Sequence, residues 1–512
     1  MVVLAVVVGL AVALLVSVTA YDLVQRQHAI LRNFPVVGHF RYLLERVGPE
    51  LRQYIVTDNN EERPFSRDDR TWVYSSSKGE NNNFGFGTDN NLDASRDYVI
   101  IKHAAFPAAP RAGEPDRPAL GITVPAAKII GASHRRTHAF RPPSVVNVSG
   151  MSFGALSAPA VEALNRGSAL ANSLHSTGEG GITDHHRHGG ELVWQVGTGY
   201  FGCRTPEGSF DLGRLVDAVA SAPVRAIEIK LSQGAKPGLG GVLPAAKVTA
   251  EIAAIRGVPV GVICRSPAGH SAFQDVDSLI DFVETIAGAT GLPVGIKSAV
   301  GEGDFWTQLA RQMASRGGGP DFITIDGGEG GTGAAPLSFT DHVSLPFRWG
   351  FSRVYREFAR AGLTDDIAFI GSGKLGLPEA ALTAMAMGCD MVNVGRTALL
   401  SIGCIQSQRC HTDRCPTGVA TQNPRLARGL DPALKSVRCA NYIATLRFEL
   451  LRLARACGVA HPALVSTDQI ELLGDGWRST SLREVIGYER GWGLPSESQR
   501  TELCRLMAQP LN

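Results

Sequence analysis

The sequence predicts an α/β fold, a (β/α)8 barrel of the TIM type, on three observations. From about residue 144, short β-branched runs alternate with stretches of helical spacing, the pattern of a parallel sheet. Three late runs end in polar glycine loops, as strands do at the catalytic face of a barrel. A chain of 512 residues, 44% hydrophobic, is long enough for a large barrel with appended pieces. A doubly wound sheet shares the local alternation, and the clustered glycine loops favour the barrel. Lysine and arginine number 50 against 48 acidic residues, a net charge of +2, so no basic field is present to gather nucleic acid.

Residues 2 to 20, "VVLAVVVGLAVALLVSVTA", are all apolar or small. At 1.5 Å per residue they come close to spanning a hydrocarbon core of roughly 30 Å, which predicts a transmembrane anchor over 1–21. Arg26, Arg32, Arg41 and Arg46 follow the run and no basic residue precedes it, so the positive-inside rule puts the rest of a single-pass protein in the cytoplasm. A signal peptide cut before Tyr21 is the alternative, and it lacks the usual basic n-region. Residues 22–119 read as an arm. Within it "YLLERVGPELRQYIV" has the spacing of an amphipathic helix, and "SSSKGENNNFGFGTDNN" is the least structured part.

The barrel is expected over 120–430. Its strands are "VVNVSG", "AIEIKLS", "PVGVICRS", "PVGIKSAV", "DFITIDGG", "IAFIGSG" and "MVNVGR". "LPAAKVTAEIAAIRG", "VDSLIDFVETIAGATG" and "LPEAALTAMAMGCD" supply helices between them. Residues 431–512 form a helical extension that includes "ANYIATLRFELLRLARACG", and no chemistry is legible beyond residue 475.

The loops carry the chemistry. "GGEGGTGAAP", "GSGKLG" and "NVGRTA" offer main-chain N–H groups to an anion, with Lys374 and Arg396 as counter-charges, and imply a phosphate-bearing cofactor. "EIKLSQGAKPGLGG" sets Lys230, Gln233 and Lys236 after a strand, and Arg256 ends a later helix. Two such cations suit a dicarboxylate. Glu179 in "STGEGG" is a carboxylate between glycines at a strand end, where it could bind an amine or an iminium. The run "TDHHRHGG" puts His185, His186 and His188 in one loop, which reads as solvated.

Cys404, Cys410 and Cys415 are spaced C-x5-C-x4-C, and nine cysteines, an odd number, suit a reducing compartment better than a disulfide framework. Three thiolates fit a three-iron cluster. A cubane would ask for a fourth, such as Cys389 or Cys439, and a Cys3His zinc site with His411 is the other metal reading.

"SGMSFGALS" (149–157), "GEGG" (178–181), "IEIKLSQGAKPGLGG" (227–241), "DGGEGGTGAAPLS" (326–338) and "GCIQSQRCHTDRCPTGVATQ" (403–422) resemble, in order, the synthase domain of the glutamate synthase family over about residues 120–460. The resemblance implies an FMN-binding barrel beside a 3Fe-4S cluster held by Cys404, Cys410 and Cys415. It sets Met151, Ser152 and Gly154 against the flavin, Gln195 near its ring, and Lys230 and Lys297 among its partners, with Lys297 facing the anionic reduced form. Gly331, Thr332, Gly333, Gly371, Gly373, Gly395 and Arg396 then fall at the phosphate. Gln233, Lys236 and Arg256 hold 2-oxoglutarate, and Glu179 sits where the iminium forms.

The reaction so implied is reductive amination of 2-oxoglutarate by ammonia, with hydride from reduced FMN and electrons relayed by the cluster. A ferredoxin or reductase subunit would be the electron donor. The family's N-terminal glutaminase and C-terminal β-helix have no counterpart here, and the first cysteine is Cys203, so a separate glutaminase or free ammonia is expected to supply nitrogen. "GIKSAVGEGDFW" departs from the family's usual "GVGTIAAG", and the histidine-rich insertion is unusual, which leaves the keto acid and amine open. A related oxidoreductase on another keto acid or amine is one alternative. A membrane-anchored electron-transfer protein that aminates nothing is the other.

Overall fold

The computed structural model describes residues 2–54, 61–83, 85–92, 95–475 and 477–509, without the side chains of 49–54. Eight parallel strands close into a barrel in chain order: β1 Val146–Val148, β2 His175–Ser176, β3 Leu192–Val196, β4 Val224–Lys230, β5 Val294–Ser298, β6 Phe322–Asp326, β7 Ala368–Ser372 and β8 Met391–Val394, which returns to pair with β1. Strands covered by helices outside and filled by side chains within must be buried on both faces. β5, β6 and β7 are buried at every residue. Alternation nevertheless separates the faces, since Ile323 and Ile325 fall on the side opposite to Thr324 and Asp326.

The strands differ from the expected set at two places. "PVGVICRS" is not a barrel strand: only Cys264–Arg265 is extended, and it pairs antiparallel with Val242–Leu243 in a two-stranded ribbon over the loops. Gly261 there takes φ +68° and Val260, Val262 and Ile263 are exposed, so the run lacks the burial that its composition suggests. The places are filled by β2, only two residues long, and by β3, whose Gln195 breaks the apolar run.

The N-terminal end of the barrel is closed by apolar packing. A hairpin bridged at Ile130 and Phe140 lies against Leu174, Ala226, Phe322, Ile370 and Met391 at the strand starts. The C-terminal end is left to loops.

Among the described residues four helices precede the barrel: α1 Val2–Val24, α2 Ala29–Asn33, α3 Val37–Tyr54 and α4 Arg67–Lys78. α4 corrects the sequence reading, because Ser75 to Lys78, taken as unstructured, form its last turn. Ser66 and Asp69 cap its start reciprocally and Gly79 ends it in the left-handed region. α1 is long and apolar enough to cross a membrane, and its apolar stretch is unburied.

α5, Ala158–Leu170, follows β1, and α6, Pro432–Ala456, crosses it so closely that a Cβ at Gly167 would lie 2.6 Å from Cys439 Cβ. Tyr442 of α6 donates to Gly376 O at 2.8 Å and lies 2.8 Å from Thr397 Oγ1, fixing the loops after β7 and β8. Residues 470–473 and 479–481 of the extension make a small antiparallel sheet with Tyr98–Ile101 of the arm, so the extension is not helical throughout.

Candidate active site at the barrel mouth

Register assembles the site. β4 sets Glu228 beside Gln195 of β3 and Lys230 beside Lys297 of β5, and Lys297 in turn lies beside Thr324 of β6. Glu228 accepts from Gln195 Nε2 at 2.6 Å and from Thr324 Oγ1 at 2.7 Å, which ties three strands together under the mouth. Lys297 pairs with Asp326 at 3.3 Å. Burial alone would lower the Lys297 ammonium, but Asp326 and Glu228 outweigh it and its pKa rises.

Above this layer Lys230 donates to Glu179 Oε1 at 2.8 Å and to Gln233 Oε1 at 2.7 Å. Burial pushes the Glu179 carboxyl up, and Lys230, with Lys236 and Arg256 behind it, more than reverses this. The group is held below its usual range and stays ionised. Gly178 makes the approach possible. It takes φ +67°, and a Cβ there would collide with the Ser152 main-chain nitrogen, so the "GEGG" turn lies directly on the "MSFG" turn.

Lys236 and Arg256, both buried, are partnered by carbonyls. Lys236 Nζ donates to Gly240 O at 2.8 Å, and Arg256 donates to Phe153 O at 3.0 Å while its guanidinium stacks 5.0 Å from the Phe201 ring. Arg256 Nε is buried without a partner. Burial lowers the Lys236 pKa, and Glu179 only partly offsets it. Lys230, Lys236, Lys297 and Arg256 thus face Glu179, Glu228 and Asp326, an excess of positive charge suited to an anionic ligand.

The phosphate-type loops follow β6, β7 and β8. Gly331, Thr332 and Gly333 are exposed. A Cβ at Gly331 would lie 2.6 Å from Arg396 Cδ and one at Gly333 3.0 Å from Cys410 Cβ, so this cradle touches both its cation and the cysteine loop. Gly373, at φ +114°, brings its loop against the Gly327 main chain. Gly371, one residue before the end of β7, lies beside Leu375, and Gly395 lies 3.8 Å from Met151 Sδ, measured from the Cβ it lacks. Lys374 and Arg396 both lie over one ring, at 5.5 and 5.1 Å from the centroid of Phe65 of the arm. Burial lowers both pKa values. Arg396 donates to the Glu329 carbonyl, and Lys374 reaches Asp69 only at 3.9 Å. A phosphate would complete these cations, and the buried unpartnered Ser176 Oγ beside Gly150 and Gln195 leaves polar capacity for a flavin ring.

Cys404, Cys410 and Cys415 lie on one loop after β8. Burial, helped by the other two sulfurs, pushes the Cys404 thiol up to about 12, and burial also raises Cys410. Among the described residues, no three Cys, His, Asp or Glu side chains are drawn together closely enough to hold a single metal ion. A cluster makes a looser demand, because each thiolate binds a different iron. Cys389 lies beside Asp390 and Cys439 beside Ser401, each acting on a different neighbour from the loop.

Four contributors escaped sequence reading. Lys247 is buried and donates to Cys410 O at 2.9 Å, Ala420 O at 2.8 Å and Ala155 O at 3.2 Å, riveting the cysteine loop to the "SFGALS" turn. Glu228 and Asp326 were visible as strand residues two positions from Lys230 and Thr324. His270 donates from Nε2 to Lys230 O at 2.9 Å, which leaves Nδ1 to accept from Tyr200 OH at 3.0 Å. No spacing marks it. The loop histidines part company: His185 pairs with Glu251 at 2.9 Å, His186 is buried against Thr183, and His188 faces Glu162 at 3.9 Å.

Residues 120–460 match the conserved region in glutamate synthase. The glutamate synthase large subunit-like protein YerD of Bacillus subtilis is 35% identical over 493 residues, 91% of this chain and 93% of that protein. The archaeal glutamate synthase (NADPH) of Methanocaldococcus jannaschii is 34% identical over 347 residues, 67% of this chain and 64% of that protein. Among solved structures, an active chimera of (S)-mandelate dehydrogenase aligns over 85% of this chain and 98% of its own, with 12% identity and a TM-score of 0.45.

Proposed function

The chain belongs to the glutamate synthase family, and from this premise we propose that it is an FMN- and iron-sulfur-dependent oxidoreductase that reductively aminates 2-oxoglutarate with ammonia supplied from outside the chain. One observation carries the reading: an ionised Glu179 bound to Lys230 sits beside two buried cations, Lys236 and Arg256, that hold carbonyls and no carboxylate.

In this reading Lys236 and Arg256, helped by Gln233, take the two carboxylates of the keto acid and fix its carbonyl carbon over the mouth. Orientation of this kind removes much of the entropic barrier. Ammonia adds to that carbon, water leaves, and the imine takes a proton from solvent to become a cationic iminium. Because Glu179 is held ionised, it serves as a negative charge beside the iminium and not as an acid. His270 is kept neutral by burial and fixes the Lys230 main chain, and so aligns the Lys230–Glu179 pair.

FMN, when bound, would supply the hydride that turns the iminium carbon into the Cα of glutamate. Gly331, Thr332, Gly333, Gly371, Gly373, Gly395 and Arg396 would hold its phosphate. Met151, Ser152, Gly154, Gln195, Lys230 and Lys297 would line its ring, with Lys297 offsetting negative charge. Cys404, Cys410 and Cys415 would hold a 3Fe-4S cluster, fed by a ferredoxin or a reductase subunit. α1 would anchor the protein in a membrane, with the barrel on the cytoplasmic side, and a separate glutaminase could release the ammonia.

The test is anaerobic. The reduced protein is mixed with ammonium or methylamine and with 2-oxoglutarate, pyruvate or oxaloacetate, while flavin reoxidation is followed by absorbance and the amino acid product is quantified. Reoxidation with glutamate formation, dependent on both 2-oxoglutarate and ammonium, is expected. Reoxidation by some other pair, or by none, would reject the substrate assignment.

A further inference from the structure

α3 is amphipathic in the wrong sense for a soluble protein. Its small and polar side faces inward. Gly38 lies so close to Leu31 that a Cβ would be 3.2 Å from the Leu31 Cα, the Tyr42 ring meets His28 edge-on at 4.9 Å, and His39 reaches Asp22. The opposite side carries Val37, Phe40, Leu44 and Val47, spaced 3, 4 and 3 apart, with Leu43 at the margin. Their exposures are 74%, 62%, 46%, 37% and 54%. A helix that turned this stripe outward in water would forgo the burial that stabilises amphipathic helices.

The stripe is bound to α1. Asp22, fully buried at the end of α1, accepts from Val36 N at 2.8 Å and from His39 Nε2 at 2.9 Å, and Gln25 bridges Asp22 O and His28 O. The apolar face of α3 is therefore held rigidly beside a helix able to cross a bilayer. Arg41, paired with Glu45, and exposed Arg46 flank the stripe, and Arg26, 3.6 Å from Asp431, is 73% exposed, so cationic groups lie where anionic headgroups would meet the helix. The same junction grips the far end of the cysteine loop. Asn33 Nδ2 donates to Pro416 O at 3.2 Å and Leu426 O at 3.0 Å, and Lys435 Nζ donates to Gln27 O at 3.3 Å.

We propose that α3 lies in the headgroup–acyl boundary of a phospholipid bilayer, apolar stripe inward to the lipid, and that it thereby holds the cysteine loop at the membrane surface, within reach of a membrane-associated electron donor. The proposal needs α1 to span the bilayer and is independent of the substrate reading.

The six tryptophans begin at Trp72, so a tryptophan placed in α3 reports alone once the unsubstituted protein is subtracted. Full-length Phe40→Trp, Leu44→Trp and Arg46→Trp proteins are reconstituted into phosphatidylcholine–phosphatidylglycerol vesicles with and without bromine on the acyl chains. Vesicle retention through a high-salt wash checks α1 separately. Quenching at positions 40 and 44 should exceed that at 46 by at least about twofold, since only the apolar side of an in-plane helix reaches the acyl chains. Equal quenching at all three positions, or none at 40 and 44 in vesicle-retained protein, would overturn the proposal. So would shielding of position 40 that arises only where cross-linking shows two copies meeting.

Discussion

The two ends of the barrel are both rich in buried charge and use it in opposite ways. At the N-terminal end Lys128 and Arg136 each have a carboxylate, while Arg141 donates to Ala126 O and Ala127 O of the closing hairpin. Lys128 pairs with Asp390 at 3.0 Å and also donates to Ile367 O. Asp321 accepts from Arg136 Nε at 3.0 Å, from Val294 N at 2.8 Å and lies 2.8 Å from His134 Nδ1, while Glu284 takes the rest of the Arg136 fork. At the mouth Lys236, Arg256 and Arg396 rest on main-chain carbonyls. A closed network holds strands together, whereas cations without carboxylates keep their capacity for a ligand. Charge type alone does not tell the two apart. Partner and place together do, since Lys247, held by three carbonyls, is a rivet, whereas Lys236 and Arg256 lie beside Glu179 at the mouth.

The comparison is broken most easily at the closed end. Asp321→Ala would leave Arg136 and the Val294 amide facing an uncompensated site, and should cost about 3–5 kcal/mol of stability in urea denaturation while keto-acid affinity of the folded protein is unchanged. A loss below about 1 kcal/mol would mean that the network is not structural. At the mouth the sign of the trade reverses. Lys236→Met should weaken dicarboxylate binding by roughly 10- to 150-fold, a loss of about 1.5–3 kcal/mol by calorimetry, with stability equal or higher because a buried charge is gone.

A third contrast is linked to pH. Burial lowers the pKa of His175 on β2 from 6.5 to about 4, so the folded protein keeps it neutral while the unfolded chain binds a proton. Its contribution to stability is therefore complete above pH 6.5 and is lost progressively as pH falls towards 4. The melting temperature should drop across that window, and less steeply in His175→Gln. The smallest effect is expected at Phe65. Phe65→Leu keeps the bulk but removes the ring beside Lys374 and Arg396, worth about 1–2 kcal/mol for the two contacts together, and FMN should dissociate about five- to thirtyfold more readily by fluorescence titration.

Much of this was legible in the sequence, for reasons that differ by residue. Late strands such as "DFITIDGG" combine β-branched runs with glycine ends, so β6, β7 and β8 and their loops could be placed. β2 could not, since two residues carry no period, and "PVGVICRS" misled because composition reports a preference for extension without reporting a partner. The amphipathic period of α3 was visible, but a period does not say which side faces the body. That is settled by Gly38 and Tyr42 packing on α2 and its cap. Lys230, Gln233, Lys236, Arg256 and Glu179 could be named from the loops that hold them, and the fold does bring them together. Lys247 could not, because a lone lysine in a helical stretch reads as solvated until three carbonyls are seen around it.

The claim that the mouth reserves its cations for two carboxylates is tested most directly by titrating the oxidised protein with 2-oxoglutarate and with 2-oxobutyrate, following perturbation of the flavin spectrum. The two keto acids differ in the distal carboxylate. The account predicts that 2-oxoglutarate binds roughly 10- to 150-fold more tightly, and that Lys236→Met or Arg256→Ala removes most of the difference. Equal binding of the two acids by the unsubstituted protein would contradict it.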